Sequence, residues 1–208
     1  MKQANKLGSR DRMIEAAISL MRGSGLSGAG INDIVRESGA PKGSMYHYFP
    51  RGKLQIATEA LEVYSQRVMQ VIDRALASKL RPSDKLTALF DVLAQRVEDG
   101  TFLQSCAVGT VSLDLDDTLE DLRVVLAISL AKWGELIARH FNFGDTRQTK
   151  SFAGLVLTAI EGAYIRCRVE RSSHPFKEAG VWLAALAERH TTNRLAGNAT
   201  ETGNRSSD

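Results

Sequence analysis

The sequence predicts an all-α protein of about nine helices, three short ones at the N-terminus and a larger helical domain behind them. Three observations carry that prediction. Almost every segment repeats its apolar residues with the helical period, and no convincing run alternates residue by residue. Glycine, proline and small polar clusters fall between the periodic segments rather than inside them. Beyond Arg81-Pro82-Ser83-Asp84 the segments change from short and basic to long and neutral or acidic.

Ser9 is placed to cap the first helix, whose apolar face is Met13, Ala16, Ala17, Leu20 and Met21, and residues 23–30, "GSGLSGAG", break it. A short second helix carries Ile31, Ile34 and Val35 and stops at Gly39. The third is expected to begin at Pro41, where a missing N–H costs nothing, and to end near Phe49-Pro50. From Lys53 a long helix reaches about Ser78, with Ile56, Ala60, Val63, Tyr64, Val71 and Ala75 on one side. A helix from Pro82 closes at Gly100, a short one follows around Cys106–Leu113, and Asp114 to Asp117 make a loop and cap. Long helices then begin near Thr118 and Thr146, and a last one at Pro175. From Thr191 the chain is rich in Thr, Asn, Gly and Ser, so a disordered tail is expected over 191–208. The expected domains are 1–53, 54–190 and that tail.

The 208 residues are 43% apolar and 25% charged, the balance of an ordinary soluble protein. No run of eighteen apolar residues occurs, and the first residues lack the apolar core of a secretory signal, so a cytoplasmic protein is expected and no membrane partner. Two distant cysteines, Cys106 and Cys167, exclude a disulfide framework and a Cys-x-x-Cys metal site. His47, His140, His174 and His190 are dispersed without metal-ligand spacing. No nucleophile–base–acid arrangement can be argued from spacing, and "GSGLSGAG" lacks both the preceding strand and the Gly-Lys-Ser/Thr ending of a phosphate loop. The expectation is therefore a non-enzyme with neither cofactor nor metal. The formal charge of +3 is uneven. Residues 1–53 hold nine Lys/Arg against four acids, a charge of +5, and the remainder eighteen against twenty, a charge of −2. A basic end of this kind suits a polyanion.

The second and third helices, joined at Gly39 with Ile34, Val35 and Met45 to pack them together, have the spacing of a helix-turn-helix or of a plain helical hairpin. The residue types favour the former. "GAPKGSMYHYFPRGKLQI" (39–56) places Lys42, Gly43, Ser44, Tyr46, His47 and Tyr48 on the second of the pair, a supply of amine, hydroxyl and ring donors suited to phosphate and sugar. Met45 and Phe49 are left for the core. The free N–H groups before Lys53 are a further phosphate site.

Residues 9–61, "SRDRMIEAAISLMRGSGLSGAGINDIVRESGAPKGSMYHYFPRGKLQIATEAL", resemble the DNA-binding domain of the tetracycline-repressor (TetR) family of bacterial regulators. The carrying pattern is Gly-x-x-Lys-Gly-Ser-hydrophobe-Tyr-x-x-Phe, preceded by Asp-Ile; "SCAVGTVSLDL" and "AIEGAYIRCRVERSSHPF" are similar to the subgroup of the lincomycin-resistance repressor. The resemblance implies DNA contacts at Lys42, Gly43, Ser44, Tyr46, His47 and Tyr48, a phosphate held by Lys53, and backbone contacts from Ser9 and Arg10. Two positions depart from the pattern. Gly30 stands where many relatives carry Ser or Thr, which leaves Asn32 as the local polar contact, and Leu54 follows Lys53 where an acid is usual.

The resemblance also implies a dimer and a small-molecule inducer. Apolar spacing on the last two helices puts Ile160, Ala163, Tyr164, Cys167, Trp182, Leu183 and Leu186 at the expected two-fold interface. Phe90, Phe102, Cys106, Thr110, Trp133, Thr158 and Gly162 form the expected lining of a largely apolar or aromatic inducer's pocket. The expected function is a homodimeric, ligand-responsive repressor of a palindromic operator on double-stranded DNA. An activator of the same fold, or a small-molecule-binding helical protein without DNA function, remains open at this point.

Overall fold

The computed structural model describes residues 8–77 and 81–203, the last eleven of these by backbone alone. Among the described residues there are nine helices and no strand: α1 (Ser9–Ser24), α2 (Ile31–Ser38), α3 (Ser44–Tyr48), α4 (Lys53–Leu76), α5 (Pro82–Asp99), α6 (Ala107–Ser112), α7 (Glu120–Arg139), α8 (Thr146–Glu170) and α9 (His174–Gly203). None is long and apolar enough to cross a membrane. The chain divides into two compact units, one of Met1–Val68 with Leu103–Ala131 and one of Met69–Phe102 with Lys132–Asp208. Both α4 and α7 thus run from one unit into the other.

In the first unit α1 buries Met13, Ile14, Ala16, Ala17, Ile18 and Met21, while Leu20 stays half-buried. Its N-cap is Gly8 rather than Ser9, which is already helical and accepts a bond from Arg12 at 3.4 Å. Helix α2 ends at Gly39, whose left-handed backbone (φ 60°) turns the chain at no Cβ cost. The next helix starts three residues later than Pro41. Ser44 and Met45 donate to the carbonyls of Pro41 and Lys42, three residues back, so 41–43 form a tight turn and α3 is one short turn after it. Met45 and Phe49 are fully buried and bracket α3. Each such burial is worth about 1.5–3 kcal/mol, which is why so short a helix holds its place.

Helix α4 keeps Ile56, Ala60 and Tyr64 inside as expected, with Ala57, Leu61, Ile72 and Leu76 beside them. Val63, Val71 and Ala75 are only half-buried. The buried face is therefore centred further round the helix, on Leu61, Ile72 and Leu76.

The second unit packs α5 against α9 and α8 against α9. Phe176 sits between Phe90 (centroids 6.2 Å apart) and Tyr164 (5.0 Å, edge to face). Phe141, Phe143 and Phe152 make a second aromatic cluster, with His190 stacked on Phe143. Helix α9 does not stop at His190. Thr191 and Thr192 bond back to the carbonyls of Ala187 and Glu188, no proline intervenes, and the helix continues to Gly203. Of the tail expected from Thr191, only 204–208 lie outside the described residues.

Candidate nucleic-acid interface

The turn and α3 present one contiguous solvent face. Lys42, Gly43, Tyr46 and His47 are exposed, Tyr46 by 61% of its surface, while Met45 and Phe49 point the other way into the core. An aromatic of that size left in water on a helix otherwise anchored by buried residues has no role in the fold of this chain. Gly43 adds to this. Its backbone is ordinary right-handed helix (φ −65°, ψ −22°), and a Cβ built on it would meet nothing within 4 Å. Neither conformation nor packing within the chain requires glycine there, and the backbone is left bare on the solvent side.

Ser44 and Tyr48 are half-buried, and Tyr48 lies edge-on between His47 (5.0 Å) and Phe49 (6.5 Å). Asn32 is exposed on the first turn of α2. Lys53 opens α4 directly after Gly52 (φ 70°) and is half-buried within the field of Asp114. Ser9 is half-buried at the start of α1. Arg10 is committed elsewhere: its guanidinium pairs with Glu59 and lies 5.6 Å from the centroid of the Phe49 ring.

Nothing in the local sequence indicates how α1 and the loop after it are tied to α6 and its flanks. Arg22 donates to the Ser105 carbonyl (3.0 Å) and to Gln104 (2.7 Å), and the Ser105 N–H donates back to the Arg22 carbonyl (3.0 Å). Thr110 donates to the Met21 carbonyl at 2.7 Å, and Asp114 accepts both the hydroxyl (2.7 Å) and the N–H (3.0 Å) of Ser27. Partial burial pushes the Asp114 carboxyl up, but the Ser27 and Leu26 bonds and the Lys53 charge together outweigh it and leave it below the usual carboxylate value. Pairs 80 or more residues apart in sequence carry no local signature.

The residues expected to hold an inducer are not gathered at one place. Phe90 and Trp133 are core residues, 0% and 2% exposed. Phe102 is half-buried with a left-handed backbone (φ 61°). Cys106 and Thr110 belong to the first unit, and the Thr110 hydroxyl is already spent on Met21. Thr158 and Gly162 lie on the exposed face of α8, outside the interior assigned to them. A cleft of about 650 Å³ at the α7–α8 corner is lined by none of these residues but by a mixture of charged, polar and apolar ones, among them Glu135, Arg139, Phe141, Asn142 and Lys150.

The residues expected at the two-fold interface lie mostly inside the single chain. Ile160, Ala163, Tyr164, Cys167 and Leu183 are buried inside the single chain, where α8 meets its neighbours. Leu186 is half-buried, and of the seven only Trp182 is exposed, by 73%. The opposite face of α8 carries Leu155, Thr158, Gly162, Ile165 and Val169 at helical spacing, all exposed, and α9 adds Val181 and Ala185 beside Trp182. A helix apolar on two faces offers two registers to a periodicity argument, and the sequence reading takes the inner one.

Residues 13–60 match the family model described as bacterial regulatory proteins, tetR family, and residues 82–181 match that described as transcriptional regulator LmrA/YxaF-like, C-terminal domain. An uncharacterized HTH-type transcriptional regulator of Mycobacterium tuberculosis is 31% identical over 194 residues, covering 88% of this chain and 98% of the relative. The HTH-type transcriptional repressor NemR of Escherichia coli is 24% identical over 183 residues, covering 82% and 89%. Among solved structures, a cysteine mutant of the TetR family transcriptional regulator CifR, complexed with a 26 bp double-strand operator, aligns with a TM-score of 0.72 at 15% identity, covering 85% of this chain and 95% of that one.

Proposed function

Because the chain belongs to the TetR family of DNA-binding transcriptional regulators, we propose that it is a repressor that grips a palindromic operator as a homodimer and leaves it when a small molecule binds the helical body. The observation that carries the reading is the outward face of Lys42, Gly43, Tyr46 and His47 on a helix fixed from behind by Met45 and Phe49. In a major groove that face would set Lys42 against phosphate, bring the bare backbone of Gly43 close, and offer Tyr46 and His47 to sugar, phosphate or base edge. NemR's description as a repressor and CifR's operator complex support the same direction.

The homodimer is supported by the exposed stripe of α8. Gly154 and Gly162 stand in mid-helix with nothing within 4 Å of a Cβ, and each costs about 1 kcal/mol against alanine. That cost is offset where a second helix packs against the bare backbone, and a second copy across a two-fold axis provides one from the same surface. Two recognition helices then address half-sites about 34 Å apart. Release by an inducer requires that it bind more tightly to a dimer with a different spacing.

The experiment is selection of a duplex from a randomised pool by the wild-type protein, followed by gel-shift titration of Lys42→Ala and Tyr46→Ala. Both are expected to weaken binding about tenfold or more while remaining dimeric, and Lys42→Ala to flatten the salt dependence by about one phosphate contact. Wild-type affinity in both variants would remove α3 as the reading helix.

A further inference from the structure

Arg10 sits at the second residue of α1, close to the proposed DNA face, and is the natural candidate for a backbone phosphate contact. Its surroundings indicate another job. The guanidinium pairs with Glu59 on α4 and lies over the ring of Phe49, the fully buried residue that ends the α3 turn. Glu59 in turn accepts Gln55 Nε2 at 2.9 Å, and Gln55 Oε1 accepts the backbone N–H of Arg51 at 3.0 Å. One connected path therefore runs from α1 through Glu59 and Gln55 to the 49–52 turn, the segment that sets where α3 leaves off and α4 begins. Glu59's side chain is 25% exposed and Arg10's 48%, and the Arg10 guanidinium also lies 4.0 Å from Asp11, so the cation is flanked by two carboxylates.

We infer that Arg10 is a positioning residue: it fixes the exit of α3 through Glu59 and Phe49 and makes no phosphate contact of its own. The inference rests on the DNA-binding reading above and separates from it cleanly. A cation that touches phosphate releases counterions and contributes to the salt dependence of binding; a cation already neutralised by a carboxylate does not. The two roles also make opposite predictions for Glu59. If Arg10 serves phosphate, neutralising Glu59 frees the cation and removes a repulsive charge, so binding tightens. If Arg10 positions α3 through Glu59, the same change loosens the turn and binding weakens.

The test uses the full-length protein and the duplex selected by the wild type, with fluorescence anisotropy from 50 to 200 mM salt (roughly the range over which phosphate contacts show). Arg10→Ala and Glu59→Gln are each expected to weaken specific binding by about tenfold, the scale of one misplaced base or phosphate contact. Both should keep the wild-type slope of log affinity against log salt, and the swap Arg10→Glu with Glu59→Arg should recover most of the loss. Glu59→Gln is nearly isosteric and keeps the argument testable if Arg10→Ala melts early. A slope lowered by about 0.9 in Arg10→Ala, or binding by Glu59→Gln as tight as wild type or tighter, overturns the inference. Failure of the wild type to select any duplex strikes the DNA-binding reading instead.

Discussion

Replacing Trp182 by alanine should take apart the proposed dimer without unfolding the protomer. In the single chain Trp182 is 73% exposed, and a tryptophan has up to about 250 Å² to bury, so roughly 180 Å² remains in water. Complete burial against a second copy would contribute roughly 4.5 kcal/mol at about 25 cal/mol per Å². Ordering the side chain takes back about 1 kcal/mol, and a rim residue buries little more than half its free area, which leaves about 2 kcal/mol. A two-fold interface uses the residue twice, so the dimer should weaken by about 4 kcal/mol, or about a thousandfold in its dissociation constant. Sedimentation equilibrium across a dilution series reads this directly. Ile165→Ala and Val169→Ala should act in the same direction with smaller effect. Val92→Ala, also exposed but on α5, should change nothing. Trp182→Ala and Val169→Ala dimerising like the wild type would refute the assignment of the α8–α9 outer face, since no other role for those side chains is evident in the fold.

Two further expectations concern the head and the α5 exit. Asp114 has a folded value below its unfolded one, so the stability it lends is present above roughly pH 4 and disappears as pH falls through the lower folded value. Asp114→Asn should therefore cost about 1–2 kcal/mol in urea unfolding at pH 7, with the gap to wild type closing toward pH 3; a gap independent of pH would contradict the Ser27 linkage. Thr101 is β-branched, exposed and left-handed (φ 55°), a conformation that strains any residue with a Cβ. Thr101→Gly should raise the melting temperature by about 2–4 °C, the shift expected of roughly 1 kcal/mol in a chain of this size. A lower melting temperature would mean that the Thr side chain is contributing more than its backbone costs.

What the sequence made legible was local. Gly39 as a helix stop, Pro82 as a helix start and Met45 with Phe49 as anchors each follow from chemistry within a few residues, and each stands in the structure. The start of α3 was misjudged because Pro41 fits a helix N-terminus and a three-residue turn equally well, and only the bonds of Ser44 and Met45 distinguish them. Composition from Thr191 onward speaks for a tail, whereas α9 runs on to Gly203, with the Thr191 and Thr192 hydroxyls bonded within the helix. Within the candidate interface the exposed residues were readable from type and spacing. The partners of Arg10, Arg22 and Asp114 were not, because Glu59, Ser105 and Ser27 lie 49, 83 and 87 residues away.

Those distant partners bear on how a bound ligand could reach the operator. In the proposed mechanism the seam between α1 and α6 is expected to stay closed. Arg22 with Ser105 and Thr110 with Met21 hold it through part-buried bonds, and Asp114 with Ser27 adds an exposed one, at three points along α6 and its flanks. Each such bond contributes about 0.5–1.5 kcal/mol net, so the three together are as large as the roughly 1–3 kcal/mol that allosteric coupling ordinarily supplies. The segment from Ser105 to Asp114 must then travel with α1, and with it the anchored α3, as one body. A ligand would alter operator affinity by shifting where that body comes to rest, not by loosening the reading helix inside it.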